Sequence, residues 1–584
     1  MRTFLLSMAG AFVALGLFAI IGLFMLFSII GAATSVEKQP SDLVLTLDLN
    51  VPLTDQAPLT GFEALSGRPG FIDLLAKIDA ATSDPNVKGM FVRAPQLGIG
   101  SSRAEELRGA IKDFQDAGKY VIAHSQGSFS TGPSGLRAIS AADEIWVQPG
   151  TDQMTTGVSF ETLFLKGLLD NLSVISEIEA FYEYKNAPNT FKETDYTAPH
   201  REAMTVLADS LWTESLNDIA ADRGLPVATL RAELEAGPMS ADRLVDFKLM
   251  DTLGWPEEAA EAARDRGGEG NLLELAKYTP PSVGARAEHI ALVGGEGAIV
   301  TGGTTGSGPF SDGSAFSSDP IANSILEAGR NEKVKAIVFR VDSPGGSPTA
   351  SDQIWRAIER VQEDGKPVVV SMGSLAASGG YYVSTGADYI LASRSTITGS
   401  IGIFGGKQTI SGGLERVGIN PRTLSVGGDF ADAFGTDPFT DAQREDLIAS
   451  LKRGYDRFTG LVAEGRDMTI EDVHEVARGR VWSGADAFTR GLVDETGGFL
   501  DAIDKAKDLA GIDADAKVRL VNYPARKTGF EALEDLFGAS EDVARAASVI
   551  GALAGDERLD AALTQMQLLQ TERSQVMGPI LIER

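Results

Sequence analysis

The chain has 584 residues, 43% of them hydrophobic, a formal net charge of -29 and no cysteine. Its length allows more than one core, and its acidity argues against nucleic acid, which is held through clustered Lys and Arg. Without cysteine there is no thiol catalysis, disulfide or cysteine metal site. The four histidines, His124, His200, His289 and His474, show no metal-pair spacing, so no metal or cofactor is expected.

In chain order, the first feature is an almost wholly apolar stretch from Met8 to Ile30, with no charged side chain between Arg2 and Glu37. A bilayer-spanning helix needs about 20 residues, and this run exceeds the roughly 7 to 15 residues of a secretory signal core. Residues 1–40 are therefore expected to form an uncleaved membrane anchor. Arg2 and the terminal amine lie on the short side, which keeps the N-terminus cytoplasmic and places the bulk of the chain, in a bacterium, in the periplasm.

Ser41 to Asn50 alternates apolar and polar residues through Leu43, Leu45, Leu47 and Leu49, the period of a strand. A long repeat begins here. Val87-Lys88 and Val334-Lys335 are 247 residues apart, as are Arg93 and Arg340, while Ala241-Asp242 and Ala485-Asp486 are 244 apart. Small loop deletions account for the drift, and a period far above the ~20 to 50 residues of solenoids indicates a duplicated domain.

The expected organisation is a first α/β repeat at 41–262, a linker at 263–288 around a short helix at Asn271 to Tyr278, a second repeat at 289–510, and a helical extension at 511–584. In the second repeat the order is strand Ala336–Val341, a Pro-Gly-Gly loop, helix Thr349–Glu363, strand Pro367–Met372, a small-residue turn Ser374–Gly379, and helix Tyr381–Thr385. Short apolar strands alternating with helices predict parallel βαβ units covered on both faces.

Two loops carry candidate chemistry. Gly345-Gly346 sits where a strand gives way to a helix, and adjacent glycines leave backbone N–H groups uncovered for an anion or a developing oxyanion. Ser378, in Ala376-Ala377-Ser378-Gly379-Gly380, follows the next strand and precedes a helix, with the Gly379 N–H beside it. Nucleophile and two N–H donors are the parts acyl transfer needs. Ser378 lies outside a Gly-x-Ser-x-Gly motif, and no histidine context recommends a triad. A lysine desolvated enough to lose its proton is then the natural base, and Tyr184-Lys185-Asn186-Ala187, flanked by Phe181 and Phe191, offers partly apolar surroundings.

Ser343-Pro344-Gly345-Gly346-Ser347, Met372 through Gly380 and Thr398-Gly399-Ser400-Ile401-Gly402 together resemble the long, duplicated form of bacterial signal peptide peptidase A, within the Clp-protease-like, crotonase-type superfamily. The resemblance covers nearly the whole chain. It implies two tandem crotonase/Clp-protease-like repeats, Ser378 as nucleophile, Lys185 as general base, Ser400 as the residue that orients the lysine, and an oxyanion hole from Gly379 with Gly345 or Gly346. This chain has Asn186 where the family usually has Ser, and Asn189-Thr190 in place of a Glu-Pro pair. Lys407, seven residues after Ser400, is the rival base.

The two copies are incomplete in complementary ways. Gly98-Ile99 stands opposite Gly345-Gly346, Thr131 to Ser134 opposite Ser378, and Asp429-Phe430 opposite Lys185. The expected function is a membrane-anchored serine endopeptidase with a Ser-Lys dyad, acting on apolar peptides such as cleaved signal peptides. The resemblance also implies a homotetramer, and the anchor implies contact with the lipid bilayer. The alternatives are an acyl-CoA hydratase or isomerase on the same fold, and a non-catalytic membrane scaffold.

Overall fold

The computed structural model describes residues 39–57, 68–303 and 316–525, and the backbone of 574–577. The expected anchor at 1–40 lies almost wholly outside the described residues. Among the described residues no helix is long and apolar enough to cross a membrane.

The duplication appears as two parallel sheets with one strand order. The first runs Thr252–Leu253, Glu144–Val147, Tyr120–Ser125, Val87–Arg93, Leu43–Asp48, Asn271–Glu274. In the second, Glu495–Thr496, Tyr389–Ala392, Val368–Ala377, Val334–Ser343, His289–Glu296 and Arg519–Tyr523 occupy the same places. The central strands are buried along almost their whole length, as continuous apolar runs require when helices cover both faces. Helix Pro348–Glu363 shows how sequence sets an element boundary. Proline fills its first position, and the Ser347 hydroxyl accepts the N–H of Ala350 at 3.3 Å, satisfying one of the donors every helix start leaves open.

Three local expectations are corrected. Asn271–Glu274, read as a helix within a linker, is a strand that adds to the edge of Leu43–Asp48, followed by a single turn at Leu275–Lys277. Its partner is more than 220 residues away in sequence, so no local pattern betrays the pairing. The turn expected at Ser374–Gly379 is mostly strand, because Val368–Ala377 continues to pair with Ile397–Gly399. Within the extension expected to be helical, the described strands are Arg519–Tyr523, which edges the second sheet, and Ser574–Met577.

The repeats share a core. One apolar cluster joins Phe71, Leu75 and Leu107 of the first repeat to Ile290, Val338 and Phe499 of the second. Buried charge fixes the register between them. The Arg340 guanidinium forks onto Asp55 at 2.8 and 2.9 Å and reaches Glu106 at 2.9 Å, and Arg394 grips Glu105, Glu214 and Asp218 at 2.7 to 2.8 Å. Burial alone would raise the Asp55 carboxyl, but the adjacent Arg340 holds it below its ordinary value. Such pairs contribute geometry more than net stability, since both partners lose water.

A third, six-stranded sheet crosses the boundary in the order Phe316–Ser317, Ile299–Val300, Gly345–Gly346, Ser574–Met577, Ile403–Thr409, Ile175–Phe181. Its last pair joins the second repeat to the first through seven antiparallel partners, from Ile403 opposite Phe181 to Thr409 opposite Ile175.

Candidate active site

Ser378 caps the strand Val368–Ala377 and opens the short helix Gly379–Ser384. Its N–H donates to the Gly399 carbonyl at 2.7 Å and its own carbonyl accepts from Tyr382 at 2.8 Å. Between these anchors its φ is +56°, a conformation non-glycine residues avoid. Strain of this kind persists only where the surroundings over-determine it, and it is concentrated at functional sites. The side chain is fully buried.

Two glycine loops meet beside it. A Cβ on Gly379 would stand 2.9 Å from both Gly345 Cα and Gly346 N, and one on Gly346 would stand 2.0 Å from the Ile299 carbonyl oxygen. Only glycine permits this approach, which sets the Gly346 N–H next to the first turn of the serine's helix. The Gly345 N–H is engaged by the Ser343 hydroxyl at 3.0 Å. Of the two glycines expected to supply an oxyanion donor, Gly346 is therefore the one without that commitment.

Lys185 comes from the other repeat. The strand Ile175–Phe181 carries the chain alongside Ile403–Thr409, and a turn closed by Lys185 N–H to the Tyr182 carbonyl at 3.0 Å points it inward. Lys185 Nζ lies 2.6 Å from Ser378 Oγ, 2.9 Å from the Ser400 carbonyl and 3.1 Å from Ser400 Oγ. Burial drives its ammonium well below the ordinary lysine range. No carboxylate offsets this, because every polar partner of Nζ is neutral. A desolvated amine with no counter-ion loses its proton easily, which is what a general base at neutral pH requires.

Ser400 is held from both sides. Its N–H donates to the Arg480 carbonyl at 2.6 Å, and its φ is +50°. Arg480 in turn pairs with Glu202 at 2.7 and 2.8 Å and stacks over Tyr184. Sequence reasoning missed this support, and it missed Gly479. A Cβ there would sit 2.4 to 2.6 Å from the backbone and Cβ of Lys185, so the glycine lets the lysine segment close against Arg478-Gly479-Arg480. The glycine between two arginines is the only sequence signal, and by itself it names no function.

The rival lysine is elsewhere engaged. Lys407 Nζ donates to the carbonyls of Ala433, Gly435 and Asp437 and lies over the Phe439 ring, tying down a loop. Three of the four histidines have their own contacts: His124 with the Gly254 carbonyl, His200 with Asn189, and His474 with Tyr455. Burial, with Arg201 nearby, pushes His200 down to about 4, so it is neutral at physiological pH. Asn186, the departure beside the lysine, is buried, and neither of its side-chain polar atoms has a hydrogen-bond partner among the described residues. Among the described residues no cluster of three or more His, Asp or Glu could hold a metal ion.

The model of peptidase family S49 matches residues 113–268 and again 360–513. "Protease 4" of Haemophilus influenzae is 34% identical over 467 residues, covering 76% of this chain and 74% of that protein. The "Protease 4" of Salmonella typhi is 35% identical, covering 75% and 72% respectively, and the "Serine protease SPPA, chloroplastic" of Arabidopsis thaliana is 29% identical, covering 85% and 73%. The chain thus belongs to peptidase family S49, carries the family's domain twice, and is a serine protease.

Proposed function

We propose that Ser378 and Lys185 are the catalytic dyad of an endopeptidase that cleaves extended, apolar peptides at a membrane surface. The observation that carries this reading is the 2.6 Å approach of a desolvated lysine amine to a strained, buried serine hydroxyl. With Nζ neutral, its two hydrogens are directed to the Ser400 carbonyl and hydroxyl, and its lone pair accepts the Ser378 proton. The Ser378 oxygen then attacks the peptide carbonyl, and the N–H groups of Gly379 and Gly346 stabilise the oxyanion. Collapse breaks the C–N bond as Lys185 passes the proton to the departing amine. Water, deprotonated by the same amine, releases the acyl group and restores the serine.

The extended form of the substrate is supported by residues 574–577. They lie antiparallel to Gly345–Gly346, with Gly346 opposite Val576, and antiparallel to Ile403–Thr409, with Phe404 opposite Gln575. A gap one strand wide between two sheet edges suits a peptide that adds as a strand. The apolar run from Met8 to Ile30 supports a single-pass anchor in a bacterial inner membrane with the catalytic part in the periplasm, and substrates embedded in that membrane would be signal-peptide remnants. Assembly as a homotetramer is part of the same reading. The domain limits we assign are 41–262 and 289–510, with Asn271–Glu274 counted with the first repeat.

The test is turnover of an apolar peptide by wild type, Ser378→Ala and Lys185→Ala. Both substitutions should abolish it, and labelling of wild type by a serine-directed fluorophosphonate should be lost only where Ser378 or its base is lost. Full activity in Lys185→Ala would end the dyad assignment.

A further inference from the structure

We infer that Glu179 is a specificity-determining residue, which selects a basic side chain at the third substrate residue on the N-terminal side of the bond that is cut. The inference deepens the reading above and rests on it, because the position is counted from the carbonyl that Ser378 attacks.

Hydrogen-bond direction gives the count. In the parallel pair of Ile299 with Gly346, the Ile299 carbonyl accepts the Ser347 N–H at 2.8 Å. Successive residues of a strand direct their N–H and carbonyl groups to opposite sides. Those of Gly346 therefore point away from Ile299, toward residues 574–577, where Gly346 stands opposite Val576. A substrate residue in that place presents its carbonyl to the Gly346 N–H, the donor assigned to the oxyanion, so the bond that follows it is the one cut. The residue before it stands opposite Phe404, and the third stands opposite Gly405.

Alternation of side chains between the faces of a sheet then fixes what each substrate residue meets. The third residue, Gly405 and Glu179 lie in line across three neighbouring strands and share one face, because Gly405 in turn pairs with Glu179. Helix Asp441–Arg466 covers that face. A Cβ on its Gly454 would stand 2.6 Å from Ile403 Cδ1, and its Arg444 reaches Glu179 and, at 2.6 Å, Glu177. The opposite face carries Phe404, Ala180 and Ile178, which belong to one apolar cluster. The second substrate residue thus meets hydrocarbon, and the third meets charge.

Gly405 places no side chain between the third residue and Glu179. Neighbouring strands are about 4.8 Å apart, so roughly 10 Å separates the two backbones, a distance that a lysine or arginine covers by laying its stem along the glycine. Glu177 is buried and committed to the Phe439 N–H and the Thr409 hydroxyl. The Glu179 side chain is 27% exposed, and Arg444 is its only partner among the described residues. Two carboxylates share that guanidinium, and Lys407, which pairs with Glu177 on the same face, is held by three carbonyls. A substrate cation gains an accessible carboxylate there, and a substrate anion meets like charge.

Tripeptide diphenyl phosphonates test this with a fixed register. Ser378 Oγ bonds to phosphorus and phenol leaves with the serine proton, so the residue bearing phosphorus is the first and the amino-terminal residue is the third. Three probes, with lysine, leucine or glutamate at the third position before alanine and a valine phosphonate, are compared by their rates of covalent labelling of full-length protein in detergent. The lysine probe should label about tenfold faster than the glutamate probe at low salt, and the ratio should shrink at about 1 M salt, where exposed charges are screened. The chain's net charge of -29 favours lysine in every variant, so the change of ratio on substitution is the decisive reading. In Glu179→Gln the ratio should fall below about twofold, and in Glu179→Lys it should invert, neither of which a purely structural loss produces. Gly405→Val, which fills the space over the glycine and leaves the Arg444 pair in place, should also lower the ratio. Equal rates for lysine and glutamate in wild type, or a ratio unmoved in Glu179→Gln, would overturn the inference and leave the dyad standing. Failure of all three probes to label wild type would overturn the dyad and the inference together.

Discussion

The first and second repeats turn from strand to helix through the same kind of glycine, Gly98 with φ +81° and Gly345 with φ +101°. What differs is the hydroxyls beyond it. In the first repeat the Ser134 hydroxyl accepts from the Ile99 N–H at 3.3 Å, and the Ser130 hydroxyl accepts from the Gly132 N–H at 3.2 Å. They stabilise their own loop. In the second, the Ser343 hydroxyl does this loop work, and Ser378 meets a lysine delivered from outside. One fold thus holds a serine loop that bonds to itself in one copy and a serine that meets a lysine from the other repeat in the second.

The comparison can be broken most severely at the dyad. Ser378→Ala and Lys185→Ala should each lower kcat at least 10³-fold with the fold intact, and Lys185→Arg should be equally inactive, since arginine cannot give up its proton. Gly479→Ala, which forces a Cβ against the Lys185 backbone, should cost on the order of 10²-fold in kcat through misplacement of the amine. Circular dichroism and fluorophosphonate labelling rates would separate this from unfolding.

A sharper measure is the pH profile. Only the neutral amine accepts a proton, so kcat/KM should fall as pH is lowered through the folded value of Lys185, which burial sets well below the ordinary lysine range. An inflection near the free lysine value of about 10.4 would show that the amine is not desolvated. Lys407→Met should leave kcat within about twofold while lowering stability by roughly 1–3 kcal/mol, because three carbonyls lose their donor. A large loss of activity there would transfer the base to the second repeat.

The smallest effect concerns the joint between repeats. Burial, with Asp342 and Asp55 close by, raises the Glu296 carboxyl to about 7. Between the unfolded value and this one the folded chain binds more protons, so its stability should fall as pH rises through that window. Glu296→Gln keeps an acceptor for the Asp55 and Gln56 N–H groups and should flatten that part of the curve of Tm against pH.

The chemistry-bearing loops were legible because their signals are local: paired glycines, a serine among small residues, and strands dense in Val and Ile. Lys185 was legible only through resemblance, since its neighbours Tyr184 and Asn186 do not distinguish it from a surface lysine until Ser378, Ser400 and Gly479 pack around it. The edge strand Asn271–Glu274 and the supporting Gly479 escaped because their meaning lies in partners hundreds of residues away.

Sequence alone determined the duplication, the short parallel strands and the serine and glycine loops as candidates, because each shows in a repeated pattern or in the steric allowance of a few residues. Tertiary structure decided which of two lysines meets Ser378 and which glycine N–H is taken up by the Ser343 hydroxyl. Those outcomes depend on desolvation and on contacts between the repeats, and both arise only when the two halves pack together.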